Sequence, residues 1–469
     1  MTSPPRRFAN THPDVVIGNF PWYEMVWRSL RGDFKPRSEP AGGYAAFARQ
    51  WTQPVDPARL AQRQQAPVIT WLGHVSMLLQ VAGLNVLIDP TLCDFAGPLG
   101  RFGAPRRVPA PLAPEDLPPI DVVLISHNHY DHLCYGTLRR LRDAGQSPRF
   151  VVPLGLADWF TQRGMGPVTA LNWWEHVNIA PGVRVVFTPS QHWSRRTPWD
   201  TNASLWGGYL LEWARPQAAA PWRFLFPGDT GYSEDFKAIR QRLGPVDFLA
   251  LPIGAYLPRD FMKPMHVNPE DAVQLMLDVE ARQAMGVHWG TFMLTQEAFD
   301  HPPRDLAAAL AQRGLPLDRV WLLRQGETRA IPLPYRCHSA AIALHPGGRS
   351  NRAHATRCTD IRAMYKKPRP VGTRYTPWAP STCAATPDSS QPSVASPFHS
   401  GTVRCRKPWA SPHSRTAAMR DTTGASLWKL AQAHSQVPLA SDTDPMNSMS
   451  ATTRGTPPAE KVKVSANWS

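Results

Sequence analysis

Residues 121–132 constrain this chain more than any other stretch. The run 121–125 (DVVLI) has the apolar character of a strand buried on both faces. It passes without a break into Ser126-His127-Asn128-His129-Tyr130-Asp131-His132. That loop leaves the carboxyl end of a strand, the position at which α/β sheets carry their sites. Three imidazoles and a carboxylate at this density, with few thiols nearby, form a nitrogen-and-oxygen donor set suited to zinc or a similar divalent ion. A single histidine here would be better explained as a satisfied core residue or part of a solvated turn. The HxHxDH spacing reverses that preference.

One loop cannot complete two metal shells, so further donors must come from elsewhere. Three residues stand after short apolar segments in the same manner: His192 after 183–188, Asp229 after 224–226 and His288 after 284–287. Each alone could be a strand-end cap or a turn former. Together with the loop they give five histidines and two aspartates, enough for a two-metal site. Around them, runs at 68–72, 76–81, 84–88, 150–152, 183–188, 205–212, 223–226 and 248–251 read as strands. Stretches at 135–144, 156–163, 233–243, 269–281 and 296–312 read as helices. Strands first, then strands mixed with helices, predict an α/β layered domain.

Several segments extend the pattern: WLGHVS (71–76), IDP (88–90), ISHNHYDHL (125–133), PSQHW (189–193), LWGGY (205–209), FPGDTGY (226–232), LPIGAYLPRDFMKPMHVNPEDAV (251–273) and VHWGTF (287–292). On these residues the chain resembles the metallo-β-lactamase superfamily and, within it, the N-acyl-phosphatidylethanolamine phospholipase D-like group, over roughly 67–330. HxHxDH alone marks the superfamily, whereas the run 251–273 with QHW and HWGTF is specific to the group. The resemblance implies an αββα sandwich of two mixed β-sheets flanked by helices. It implies two divalent ions, expected to be zinc: His127, His129 and His192 on one, Asp131, His132 and His288 on the other, Asp229 bridging. It also implies a phospholipase-D-type phosphodiesterase working through a metal-bridging hydroxide, with Asp131, Asp229 and His266 as catalytic residues. The resembled enzymes form dimers, so the resemblance allows a homodimer here, with the oligomeric state left open. A lactonase or other soluble-ester hydrolase is the alternative on the same site.

Substrate contacts are expected from His74 in the first hairpin, from Arg195 and Arg196 beside His192, and from His266. Arginine would pair with phosphate; the competing readings are a buried turn histidine, a solvated loop and a helix-entry residue. Loop 95–119 combines Phe95, Leu99 and Phe102 with Arg101, Arg106 and Arg107, a chemistry suited to lipid chains and anionic head groups.

Composition divides the chain near residue 334. The whole carries 51 Lys+Arg against 36 Asp+Glu, but residues 335–469 alone hold 18 and 6 of these, leaving the first 334 with a net charge of only +3. The last segment has 13 Leu, Ile, Val or Phe against 31 Ser or Thr, too little apolar surface to offset the entropy of ordering it. We therefore expect three parts: a lead-in at 1–66, a catalytic domain at 67–334, and a low-complexity basic tail at 335–469 that is disordered. The tail reads either as a genuine arm or as an unselected extension. It shows no zinc-finger, RNP-like or helix-turn-helix pattern, so nucleic-acid or anion binding through it is the weakest reading. In the lead-in, one helix is expected at 21–30, its stripe of Trp22, Tyr23 and Trp27 packing on the main domain, with membrane contact as the alternative. No apolar run approaches the roughly 18 residues of a spanning helix. Only Cys93 and Cys134 precede the tail, which is no disulfide framework. The compartment expected is cytoplasmic, with peripheral membrane contact possible.

Overall fold

The structure is a computed structural model and describes residues 7–18 and 20–334, so the tail reading lies outside the described residues. Three helices precede the first strand, not one: α1 (Trp22–Leu30), α2 (Gly43–Trp51) and α3 (Pro57–Ala61). Helix α3 starts where Asp56 accepts hydrogen bonds from the amides of Ala58 and Arg59, with Pro57 in the first turn. Helix α2 buries Phe47 against Trp289 and Phe299, with ring centroids 6.3 and 5.6 Å away. The lead-in is thus part of the core, which its scattered apolar residues did not reveal.

The first half of the domain contains β1 (Val68–Gly73), β2 (Ser76–Val81), β3 (Leu84–Ile88), a short hairpin β4 (Phe95–Ala96) and β5 (Ala104–Pro105), β6 (Val122–Leu124), β7 (Arg149–Pro153) and β8 (Val168–Leu171). Helices α4 (Tyr135–Asp143) and α5 (Ala157–Thr161) lie between the last three. The second half runs β9 (His176–Ala180), β10 (Val183–Thr188), β11 (Gly208–Trp213), β12 (Trp222–Phe226), α6 (Asp235–Leu243), β13 (Phe248–Pro252), α7 (Arg259–Met262) and α8 (Pro269–Asp278). It ends with β14 (Gln283–Val287), α9 (His301–Gln312), β15 (Val320–Trp321) and β16 (Thr328–Ala330).

These strands form two mixed seven-stranded sheets, ordered β16-β1-β2-β3-β6-β7-β8 and β15-β14-β13-β12-β11-β10-β9. Strand β16 returns from the second half to close the first sheet antiparallel to β1. Side-chain alternation builds the layers. Ile69, Trp71, Met77, Leu79, Val86, Ile88, Val122 and Leu124 point into the core shared with Val185, Phe187, Tyr209, Leu211 and Phe224 of the second sheet. Their neighbours Leu78, Leu87, Val123 and Phe150 face the other way and meet Leu138 and Leu141 of α4 and Phe160 of α5. Both faces are covered, which is why these strands read as continuous apolar runs. The architecture is the αββα sandwich.

Helix α9 starts five residues later than the sequence pattern predicts. The stretch before it is held as a loop because the Glu297 carboxylate accepts the amides of Tyr256 and Leu257, 3.2 and 3.1 Å away. Helix α1 also departs from expectation. Trp27 is 60 % exposed, while Met25 makes the inward contact with the small cluster around Ile17 and Phe261.

One hydroxyl ties the two sheets together at the site. Tyr209 on β11 donates to the carbonyls of Ile125, just past β6, and Val151, in the middle of β7, at 2.8 and 2.9 Å. Replacing Tyr209 by Phe leaves those buried carbonyls without this donor and should lower stability by about 1–3 kcal/mol. Chemical denaturation of the purified protein measures it.

Candidate metal centre

The topology gathers the donors at one edge. Strands β1, β3 and β6 run in the same direction in the first sheet, as β10, β12, β13 and β14 do in the second. His74, Asp89 and the 126–132 loop therefore leave the carboxyl ends of the first set, and His192, Asp229 and His288 those of the second. Gly228, with φ +67°, allows the last approach: a Cβ there would lie 2.5 Å from the Gly207 carbonyl and 3.1 Å from Ser126. His74 and His288 also hold positive φ angles, 53° and 61°, and the His288 amide donates to the His74 carbonyl at 2.9 Å. Backbone held in this region by non-glycine residues is typical of functional sites.

Overlapping donor groups result. In the first, His129 Nδ1 lies 2.9 Å from His127 Nε2 and 3.2 Å from His192 Nε2. In the second, Asp131 Oδ2 lies 3.0 Å from His74 Nε2, 3.4 Å from His288 Nε2 and 3.7 Å from His132 Nε2. Asp229 faces both: its Oδ2 is 3.0 Å from His132 Nε2, 3.1 Å from His288 Nε2, and 3.9 Å from the Nε2 atoms of His127 and His192. All seven residues predicted as metal ligands are brought together; His74 joins Asp131, His132 and His288, and Asp229 groups both with His127 and His132 and with His192 and His266. Each set's donor atoms lie within 4.8 Å of one another, so these clusters can hold metal ions.

The electrostatics fit a cation. Burial, reinforced by the neighbouring imidazoles, keeps His127 neutral, its pKa pushed well down. Burial likewise lowers His129 to about 4 and His192 to about 3. Burial opposes charge on His132 and His288 too, but Asp229 and Asp131 prevail, carrying His288 to about 9 and His132 well up. For Asp131 and Asp229 burial works against ionisation, and the imidazoles overcome it and hold both carboxyls well below their usual range. Two ionised carboxylates and three neutral imidazoles are ligands in the required protonation state. The protons on His132 and His288 stand where a cation's charge would act. His129 Nε2 and Asp229 Oδ1 are buried without a hydrogen-bond partner, a further sign of a donor set made for something other than itself.

Supporting contacts fix the ligands. The His192 Nδ1–H donates to the Met265 carbonyl at 3.0 Å, leaving Nε2 to face the site. Asp89, fully buried just after β3, accepts from His132 Nδ1–H at 2.7 Å and from the Ser126 amide at 2.8 Å. Asn10 of the lead-in accepts the His192 amide at 3.0 Å. The sequence reading gave neither Asp89 nor Asn10 a role. An Asp-Pro pair directly after a buried strand was the available signal for Asp89; nothing local marked Asn10.

The predicted substrate residues divide. His266 and Arg195 line a cavity of about 490 Å³ together with His129, Asp131, Asp229 and His288. His74 is buried behind Asp131 and spends its Nε2 on that carboxylate. Arg196 also borders the cavity, but its guanidinium donates to the carbonyls of Asn128 and Leu133 at 2.8 and 2.7 Å and stacks on Tyr130 at 4.1 Å. It braces the metal loop at Asn128 and just past its end at Leu133. Arg106, expected near lipid head groups, is folded inward: it donates to the carbonyls of Cys93 and Thr91 and lies over Phe292.

An αββα sandwich with paired His/Asp clusters at one sheet edge defines a metal-dependent hydrolase. The Beta-lactamase superfamily domain matches residues 84–289. Among relatives, N-acyl-phosphatidylethanolamine-hydrolyzing phospholipase D 1 of Caenorhabditis elegans is 38 % identical over 245 residues, 50 % of this chain and 67 % of that protein. The mitochondrial N-acyl-phosphatidylethanolamine-hydrolyzing phospholipase D of Saccharomyces cerevisiae is 37 % identical over 268 residues, 56 % of this chain and 55 % of that one. A UPF0173 metal-dependent hydrolase of Methanopyrus kandleri is 26 % identical over 263 residues, 55 % of this chain and 98 % of its own length. The chain belongs to the metallo-β-lactamase superfamily, as a homologue of the N-acyl-phosphatidylethanolamine-hydrolysing phospholipases D.

If Asp89 orients His132, Asp89→Asn should weaken metal binding by about 10–100-fold while the chain still folds. Competition against a chromogenic chelator, with circular dichroism as the folding control, gives the comparison.

Proposed function

We propose that the chain is a binuclear, zinc-dependent phosphodiesterase of phospholipase D type, acting on N-acyl-phosphatidylethanolamine or a related phospholipid. The observation that supports it is the shape of one cavity. The donors His129, Asp131, Asp229 and His288 lie in the same 490 Å³ space as an apolar wall of Met25, Phe34, Phe261, Met262, Met265 and Leu294. A phospholipid carries its phosphodiester next to acyl chains, and a site for it needs a polar end adjoining an apolar one. The two relatives named for this substrate point the same way.

His127, His129 and His192 would hold one ion, Asp131, His132 and His288 the other, with Asp229 shared. Such a pair supplies Lewis acidity towards a phosphoryl oxygen and lowers the pKa of water. The chain's own residues do the rest. Asp89, Ser126 and the Met265 carbonyl keep the ligand rings oriented. His266, its Nδ1 3.9 Å from Asp229 Oδ2, faces the cavity where it can hydrogen-bond a phosphoryl oxygen. Arg195 adds a cation to the same wall. The apolar residues exclude water from the acyl side.

The substrate is reached from a bilayer surface. Helix α1 supplies Met25 to the cavity and exposes Val26, Trp27 and Leu30; Leu99, Phe102 and Trp199 are exposed on loops that also contribute to it. Exposed Arg101 and Arg107 complement anionic lipid. No helix among the described residues is long and apolar enough to cross a membrane.

With metal-loaded full-length protein, hydrolysis of N-acyl-phosphatidylethanolamine vesicles should exceed that of acyl-lactones, and Asp229→Ala should lose both bound metal and turnover. Faster lactone hydrolysis, or full activity in that variant, would overturn the reading. Trp27→Asp combined with Phe102→Asp should slow turnover on vesicles and leave a monomeric short-chain substrate unaffected, as paired kinetic assays would show.

A further inference from the structure

Cys93 follows β3 and Cys134 precedes α4, 41 residues later, yet the Cys134 thiol points at Cys93 Sγ, with the two sulfurs in direct contact at 2.7 Å. Both are free thiols. The approach is built rather than incidental. A Cβ on Gly136 would come within 2.7 Å of Cys93 Sγ, and one on Gly100 within 2.5 Å, so both positions leave room for the pair only as glycine. The segments around it are fastened together: the Leu92 amide donates to Thr137 Oγ1 at 2.9 Å, and Arg106 Nε donates to the Cys93 carbonyl at 2.9 Å. Cys93 is partly exposed, whereas Cys134 is buried.

We propose that Cys93 and Cys134 form an oxidisable dithiol, whose disulfide clamps the segment after β3 to the helix that follows the metal-binding loop. With a low-molecular-weight disulfide RSSR as oxidant, the Cys93 thiolate attacks one sulfur and expels RS⁻, forming a mixed disulfide. The Cys134 thiolate then attacks the Cys93 sulfur and expels the second RS⁻. The two protein thiol protons pass to the two leaving groups, so two cysteines and RSSR become one protein disulfide and two RSH. Cys134 sits only two residues beyond His132, so the clamp fixes the point at which the metal loop enters α4. The site depends on neither the metal count nor the substrate, and its state would follow the thiol–disulfide poise of the surroundings.

Full-length protein, reduced and then exposed to oxidised glutathione, is alkylated, digested and mapped by mass spectrometry. The expected result is a peptide cross-linked Cys93–Cys134, lost with dithiothreitol and absent from Cys93→Ser. The wild-type protein provides a second readout that needs no variant: its thermal midpoint should rise by several degrees on oxidation and fall back on reduction. Both cysteines alkylated separately after oxidation, or either cross-linked instead to Cys337, Cys358, Cys383 or Cys405, would overturn the proposal.

Discussion

The Asp229 carboxylate is the interaction on which the rest of the site depends. One oxygen stands within 3.9 Å of imidazole nitrogens from His127, His132, His192, His266 and His288. Those five come from both sheets and from the segment before α8, so this oxygen marks where the halves of the sandwich meet. Its position follows from a short chain of causes. Strand β12 is central in its sheet and delivers the backbone to the edge, and Gly228 turns it inward where a side chain would strike Gly207. A residue with a Cβ at 228 would meet the Gly207 carbonyl at 2.5 Å and so disturb the carboxylate's place among those rings.

Around that point the structure buries many polar groups, and those that support the ligand rings have defined partners. Asp89 holds His132, Ser126 joins Asp89, and the Met265 carbonyl holds His192. Arg196 fastens the Asn128 carbonyl within the metal loop and the Leu133 carbonyl just after it. Low dielectric strengthens such contacts and penalises any member left unpaired, so the network specifies one arrangement of rings. The Tyr209 hydroxyl belongs to the same logic, because it fixes the distance between the strand that starts the loop and the opposite sheet.

What could be read from sequence follows how local each signal is. The metal loop is seven contiguous residues after a buried strand, and its chemistry was legible at once. His192, Asp229 and His288 were legible because each repeats that placement at the end of an apolar segment. The α/β layering, too, was legible from the order of its elements, whereas the sandwich came from the resemblance alone. Strands β8 and β9 were not. They lie at sheet edges, where His176 and Asn178 are exposed and the apolar pattern is broken. Arg196 and Arg106 read as surface cations because composition cannot show that backbone carbonyls will claim their guanidinium groups. Helix α2 read as irregular because its only fully inward residue is Phe47, whose partners Trp289 and Phe299 lie more than two hundred residues away.

The charge balance explains why such a site can exist inside a stable domain. Taking the carboxylates of Asp131 and Asp229 out of water is unfavourable unless opposite charge accompanies them. Without a metal, the chain supplies that charge by protonating His132 and His288, whose rings lie 5.4 Å apart and repel one another when both are charged. Divalent cations would relieve both problems together, neutralising the carboxylates and releasing those protons. Metal binding, protonation and folding are then coupled, and ions that bind the folded state alone stabilise it by mass action. The five histidines and two aspartates are a liability as a core and an asset as ligands, which is the physical reason the fold can carry them.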